Sequence, residues 1–168
     1  MDLLIVRHAI AETREQFAST GQPDDLRPLT REGVHEFTKV ARKLHAIVPT
    51  LDLIATSPLI RARQTAELLA KGYGLPLVET DALRPEAPFT KFALLVKRST
   101  ATEVIAIVGH EPHLSGLVAW LIGDKGARIT MKKGGACLVR FDRGAQRGAG
   151  SLMWLLPPGV LRRLARGT

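Results

Sequence analysis

The chain has 168 residues, of which 45% are hydrophobic and 24% are charged, a balance typical of one globular domain over residues 1–168. Cys137 is the only cysteine, which excludes an intrachain disulfide framework and a cysteine-rich metal site and favours the cytoplasm. The net charge of +8 is uneven, because residues 125–168 hold ten basic residues and one acidic residue. This surplus predicts an anionic substrate or an acidic partner.

Two classes of partner are not expected. The chain has only eight aromatic residues and no recognisable nucleic-acid module, which argues against a nucleic-acid partner. The longest apolar stretch, residues 116–123, is too short to cross a membrane. The oligomeric state leaves no signal in the sequence.

Short apolar runs alternate with amphipathic ones, which predicts an α/β domain. Glycine-rich residues 142–150 separate the last two predicted strands, which form either a hairpin or two neighbouring edge strands. In chain order, the predicted elements are a strand over Leu3–Val6, a helix capped by Thr30 and stopped by Pro49, a strand over Leu51–Thr56, a helix that starts at Ser57-Pro58 and ends at Gly72, a strand over Leu75–Val78, a helix over Phe89–Val96, a strand over Val104–Val108, a helix opened by Pro112, and strands over Ala136–Phe141 and Ser151–Leu156.

Residues suited to phosphate chemistry follow three of these strands. Arg7 and His8 end the first strand, the second leads into the helix that carries Arg61, and His110 ends the fourth. Ligands of open α/β sheets bind at the carboxyl ends of the strands, so these four side chains are expected to converge on one cavity.

Such a cavity has a defined chemistry. An arginine guanidinium matches the oxygens of a transferring phosphoryl group. One imidazole can attack phosphorus in line while the second donates hydrogen bonds to the transferring group. This chemistry requires neither a metal nor another cofactor, and the chain has no histidine and carboxylate cluster at metal-ligand spacing.

Three segments resemble signatures of the histidine phosphatase superfamily, also called phosphoglycerate mutase-like, in its branch 1. They are Leu4-Ile5-Val6-Arg7-His8-Ala9, Thr56-Ser57-Pro58-Leu59-Ile60-Arg61, and Val108-Gly109-His110-Glu111-Pro112. The short chain, the segment Arg27-Pro28-Leu29-Thr30 and the segment Met131-Lys132-Lys133-Gly134 are similar to SixA-type phosphohistidine phosphatases. The resemblance implies a three-layer α/β/α sandwich with a mostly parallel sheet.

The resemblance also implies roles. His8 would be the phosphorylated nucleophile, Arg7 and Arg61 would hold phosphate oxygens, and His110 would stabilise the transition state. Ala9 replaces the usual glycine, and its methyl group fits if the backbone there avoids positive φ. Many members of the superfamily use a Glu or Asp as general acid, and Glu86 and Glu111 are the candidates here, although SixA-type members lack a clear acid.

Other polar residues have simpler interpretations. His113 is expected on the helix surface or behind the site, and His35 and His45 are expected to be ordinary residues of the first long helix. Ser57 is expected to cap a helix and Cys137 to lie in the core. Arg27 and Lys133 are left with two interpretations, bordering the pocket or solvated surface.

The leading hypothesis is a metal-independent hydrolase that removes phosphate from phosphohistidine on a protein. Its partner would be a histidine phosphotransfer domain or a phosphotransferase-system protein. One alternative is a phosphatase for small phosphomonoesters or polyphosphate, and another is a module that binds polyanions without catalysis.

Overall fold

One six-stranded mixed sheet runs through the protein. The computed structural model describes residues 1–97, 103–123, 126–142 and 144–164. The strands are β1 (Asp2–Arg7), β2 (Leu53–Thr56), β3 (Leu77–Glu79), β4 (Val104–Gly109), β5 (Ala136–Phe141) and β6 (Gly150–Leu156). The helices are α1 (Arg14–Ala18), α2 (Arg31–Ile47), α3 (Ile60–Ala70), α4 (Phe89–Lys97), α5 (His113–Ile122) and α6 (Pro158–Arg163).

The strand order is β3-β2-β4-β1-β5-β6. The first four of these strands are mutually parallel, whereas β5 runs antiparallel to both β1 and β6. The prediction of a mostly parallel sheet is therefore confirmed. The last two strands pair directly, with a bulge at Leu138/Val139, so the hairpin alternative is the correct one.

Helices cover both faces of the sheet and give two hydrophobic cores. Alternate residues of a strand point to opposite faces, and β1 sends Leu4 and Val6 into the core beneath α2, α3 and α6. Leu3 and Ile5 point into the other core, beneath α4 and α5. All four side chains have no exposed surface. The three-layer α/β/α arrangement is thus confirmed.

The long helix α2 forms as its sequence predicts. Thr30 is its N-cap, and its hydroxyl oxygen accepts a 2.9 Å hydrogen bond from the Gly33 amide. Phe37, Val40 and Leu44 repeat at three- and four-residue spacing and are buried beneath the helix. A side-chain cap and one apolar face are sufficient local signals for a helix of this length.

Other boundaries differ from the prediction. The helix predicted to start at Ser57 begins at Ile60, without a side-chain cap. β3 lies at Leu77–Glu79, two residues beyond its predicted start. α1, α6 and the two 3-10 turns at Asp24–Leu26 and Asp81–Leu83 were not predicted, because each is too short to show a hydrophobic period. No helix of the described ranges is long and apolar enough to span a membrane.

Candidate active site

Three strands end at the same level of the sheet. Val108 of β4 is the register partner of both Val6 and Thr56. The ladder continues one residue further, since the His8 amide donates to the Gly109 carbonyl at 3.0 Å and the Ser57 amide donates to Val108 at 3.0 Å. The residues that follow β1, β2 and β4 are therefore neighbours.

His8 and His110 face each other at this edge. Their ring centroids are 5.2 Å apart. His8 is only 6% exposed and His110 only 2%. His8 Nδ1 donates a 2.7 Å hydrogen bond to the Ala9 carbonyl. A carbonyl oxygen can only accept, so Nδ1 carries the proton and Nε2 keeps its lone pair. His8 Nε2 makes no hydrogen bond with the described residues.

Both histidines are held neutral. Burial lowers the pKa of His8 to about 3; the hydrogen bond to the Ala9 carbonyl opposes this shift, and the charges of Arg61, Arg7 and Lys133 add to it. Burial, followed by the neighbouring His8 and Arg61, lowers the pKa of His110 to about 2. At neutral pH, His8 is therefore a neutral imidazole beside the permanently charged arginines.

Arg61 lies in the first turn of α3 and is 4% exposed. Its guanidinium contacts Asp24 twice, with Nη1 donating to the backbone carbonyl at 2.9 Å and Nη2 lying 3.2 Å from the carboxylate. The same carboxylate accepts a 2.8 Å hydrogen bond from Arg27 Nε. One acidic residue of the loop between β1 and α2 thus fixes two arginines side by side.

Arg7 is fixed from the opposite side of the site. Its Nη1 donates a 2.6 Å hydrogen bond to the Met131 carbonyl. The Gly134 amide donates to the carbonyls of Arg7 and His8, and Gly134 has a φ of +74°, which favours glycine. This tight loop places Lys133 next to the site. Partial burial lowers the pKa of Lys133, and the charges of Arg7, Arg27 and Arg61 lower it further.

Four cations therefore surround the two neutral rings. We call Arg7, Arg27, Arg61 and Lys133 the cation cluster. Buried polar atoms are normally hydrogen-bonded, yet Arg7 Nε, Arg61 Nε and His110 Nδ1 are buried and have no hydrogen-bond partner among the described residues. Three unpartnered nitrogens among four cations are chemically suited to a tetrahedral oxyanion.

Second contacts hold the histidines in place. Ser57 Oγ lies 2.9 Å from His110 Nε2, so this serine orients His110. Its oxygen also lies 3.4 Å from the Leu59 amide, although it is not the N-cap of α3. The Ala9 amide donates to Thr65 Oγ1 at 3.0 Å, which ties the chain after His8 to α3. Ala9 accommodates its methyl group, because no described non-glycine residue has positive φ.

The two candidate acids are not positioned alike. Glu111 lies near Arg7, and its two carboxylate oxygens accept hydrogen bonds from the Ser115 amide at 3.1 Å and the Ser115 hydroxyl at 2.6 Å. Glu86 is exposed and acts electrostatically on His113. Within the described residues, neither carboxylate is hydrogen-bonded to His8 or His110.

The remaining histidines lie outside this cluster of contacts. His113 is buried rather than on the helix surface, and its Nε2 donates to the Ala87 carbonyl at 2.9 Å. His35 is exposed on α2, and His45 packs edge-on against Tyr73. Cys137 is buried in β5, as expected. Among the described residues, no group of three or more His, Cys, Asp or Glu side chains could hold a metal ion.

The family follows from comparison with known proteins. A model of the histidine phosphatase superfamily (branch 1) matches residues 3–93. The chain belongs to this superfamily. An uncharacterized protein of Picosynechococcus sp. is 34% identical over 151 residues, which is 88% of each chain. Membership of the histidine phosphatase superfamily supports phosphatase activity.

Solved structures confirm the fold. The protein histidine phosphatase SixA complexed with tungstate superposes with a TM-score of 0.81 at 24% identity, covering 96% of this chain and 99% of that one. A phosphoserine phosphatase mutant from Entamoeba histolytica, in complex with phosphoserine, has a TM-score of 0.69 at 16% identity, covering 97% and 99%. These two likenesses show a shared fold and leave the substrate open.

The structure brings the four predicted residues, Arg7, His8, Arg61 and His110, close together, and it adds neighbours that the sequence did not indicate. Asp24 escaped notice because an acidic residue in a polar loop has many ordinary interpretations. Arg27 and Lys133 were left undecided, and the structure places both in the cation cluster. Ser57 was assigned as a helix cap, whereas its hydrogen bond to His110 brings it into the site. The signal in the sequence that could have placed Ser57 in the site was its position directly after a predicted strand, like that of His8 and His110.

Proposed function

We propose that this protein removes phosphate from phosphohistidine on a protein substrate, through a phosphorylated His8. The observation that supports this most directly is the pairing of a neutral His8, with a free Nε2, and three unpartnered buried nitrogens among four cations. The neutral imidazole supplies the nucleophile. The cation cluster supplies charges for the equatorial oxygens of the transferring phosphoryl group.

The reaction would run in two displacements. His8 Nε2 forms a bond to phosphorus while the bond from phosphorus to the substrate's imidazole nitrogen breaks, and the electron pair remains on that nitrogen. The other nitrogen of the substrate ring carries a proton, so the leaving group is a neutral imidazole. Arg7 and Arg61 would hold phosphoryl oxygens, and His110 would donate a hydrogen bond to them. Water then attacks phosphorus, the bond to His8 breaks, and inorganic phosphate leaves.

The surroundings of the carboxylates favour this substrate class. Protonating an alkoxide leaving group calls for a general acid within reach of it. Glu111 accepts two hydrogen bonds from Ser115, and Glu86 is exposed. A departing imidazole is far less basic than an alkoxide and needs no dedicated strong acid. The site is therefore better suited to a phosphorus–nitrogen bond than to a phosphomonoester.

The substrate would be a protein such as a histidine phosphotransfer domain or a phosphotransferase-system protein. The alternative, a phosphatase for small phosphomonoesters or polyphosphate, requires Glu86 or Glu111 to act as acid. The second alternative, a polyanion-binding module, uses the same cations without a nucleophile. Substitution of His8 separates the binding module from the two enzymes, because only the enzymes depend on its Nε2.

The test is phosphate release from a phosphohistidine peptide and from a phosphoserine peptide of matched sequence, with chelator present. We expect wild type and His35→Ala to release phosphate from phosphohistidine alone, and His8→Ala to lose at least a thousandfold in rate, which is the scale of removing a nucleophile. Equal release from phosphoserine would favour the phosphomonoester alternative. Release from neither peptide would contradict enzymatic function on both classes and favour the binding module.

A further inference from the structure

A groove with a volume of about 730 Å³ lies along one side of α5. We call it the α5 groove. Residues of α5 at three- and four-residue spacing form its floor, so one face of the helix is left uncovered. Its apolar lining includes Phe89, Pro112, Gly116, Ala119, Trp120 and Ile129.

The α5 groove begins beside the candidate active site. Pro112 is two residues beyond His110, which places their Cα atoms within about 8 Å of each other by chain geometry. Phe89 packs against His113 at a centroid distance of 5.2 Å and against Trp120 at 6.1 Å. The groove then follows α5 away from the strand tips. A peptide chain that leaves the site could therefore enter it directly.

Gly116 allows the ring of Phe89 to pack directly on α5. A Cβ at position 116 would lie 2.9 Å from the ring of Phe89, closer than side chains approach. The aromatic ring instead lies directly against the helix backbone and forms one wall. Aromatic side chains beside a concave surface are typical anchoring points in protein recognition.

Two arginines also line the α5 groove, and its lining includes no carboxylate from the described residues. They are Arg128 and Arg147, and neither forms a salt bridge with any part of the chain that the structure describes. By contrast, Arg140 pairs with Asp2 at 2.8 Å and Arg162 pairs with Glu36 at 2.8 Å. Part of the positive surplus of residues 125–168 is thus placed, unpaired, on an apolar groove.

We propose that the α5 groove binds the segment of the protein substrate that flanks its phosphohistidine, and that this segment is apolar with acidic residues. The inference rests on the proposed function. An apolar floor with two basic side chains is complementary to such a segment in both hydrophobicity and charge. A free phosphate needs only the cation cluster, so the groove distinguishes protein substrates from small ones.

The test uses two synthetic phosphohistidine peptides and the small ion phosphoramidate. The flank of the first peptide alternates leucine or phenylalanine with glutamate, and the second carries glutamine in place of each glutamate. We expect wild type to prefer the first peptide about tenfold in kcat/KM, mainly through KM, which is the scale of two exposed charge pairs. The double variant Arg128→Glu/Arg147→Glu should lose this preference and hydrolyse phosphoramidate at the wild-type rate.

The matched control is Arg42→Glu. Arg42 is exposed on α2, which covers the other face of the sheet, so its reversal changes net charge without touching the groove. The control should retain the preference. No preference in wild type, or a preference that survives the double variant, would overturn the inference while leaving the proposed function intact. If wild type hydrolyses neither phosphohistidine peptide and does not hydrolyse phosphoramidate, the proposed function is overturned.

A binding measurement tests the groove independently of catalysis. The chain has two tryptophans, so Trp154→Phe leaves Trp120 as the single tryptophan fluorophore, at the groove wall. The unphosphorylated acidic peptide should shift Trp120 emission with a saturable dependence on concentration. Ala119→Phe, which fills the groove, should abolish the shift. An emission that no peptide concentration changes would overturn the proposal even if the enzyme is active.

Discussion

Acidification should destabilise the fold through His8. Burial lowers the pKa of His8 to about 3 from the ordinary value of 6.5. Between these two values the unfolded chain binds a proton at this residue and the folded chain does not, so the free energy of unfolding decreases as the pH falls. Above pH 6.5 neither state binds this proton, so the free energy of unfolding no longer depends on pH through His8. The stability cost therefore begins near pH 6.5 and grows toward pH 3.

The size of the effect follows from the two pKa values. Each pH unit below 6.5 costs about 1.4 kcal/mol, so moving from pH 7 to pH 5 should cost about 2 kcal/mol through His8 alone. In His8→Asn this cost is absent, because asparagine does not titrate and its side-chain amide can still donate to the Ala9 carbonyl. The variant should therefore lose about 2 kcal/mol less than wild type.

The assay is urea unfolding at pH 7 and pH 5, at constant ionic strength and in buffers without phosphate, since phosphate would bind the cation cluster. His35→Asn is the control. His35 is exposed on α2, so this variant should lose the same free energy as wild type between the two pH values. If His8→Asn loses as much stability on acidification as wild type does, burial does not hold His8 neutral, and the reasoning is refuted.

Three further substitutions test how the site is built. Gly33→Ala should cost more than about 2 kcal/mol of unfolding free energy, measured with urea, since its Cβ would overlap a backbone carbonyl of the loop after β1. Ser57→Ala should lower kcat about tenfold with little change in unfolding midpoint, because His110 loses its orienting hydrogen bond. Asp24→Asn should raise KM for phosphoramidate severalfold by releasing Arg61, and an unchanged KM would contradict the assigned contact.

Local patterns explain why much of the fold was predictable. The position of α2 follows from Thr30 and its buried face, and the strand tips follow from apolar runs that end at Arg7 and His110. These signals lie within a few residues of one another. The proximity of the tips required only that the central strands be parallel and in register, which α/β folds favour.

Loop-borne parts of the site could not be predicted in the same way. Asp24 reaches Arg61 across 37 residues of chain, and the Met131 carbonyl reaches Arg7 across 124. Their positions depend on how two loops pack over the sheet, for which a single sequence has no periodic signal. Ser57 was misread for a related reason, since its shortest hydrogen bond joins it to His110, which follows another strand, and its contact with the Leu59 amide is longer.

In the proposed reaction, the cations at this site act on both the nucleophile, His8, and the substrate. Arg61 and Arg7 oppose protonation of His8, and burial acts in the same direction. The same charges attract a phosphoryl group, whose negative charge spreads over its oxygens. A nucleophile that is kept neutral mainly by burial, with help from its cationic neighbours, needs no separate base. Asp24 adds the one negative charge bound to Arg61, and so fixes the geometry of the cluster while leaving it positive overall.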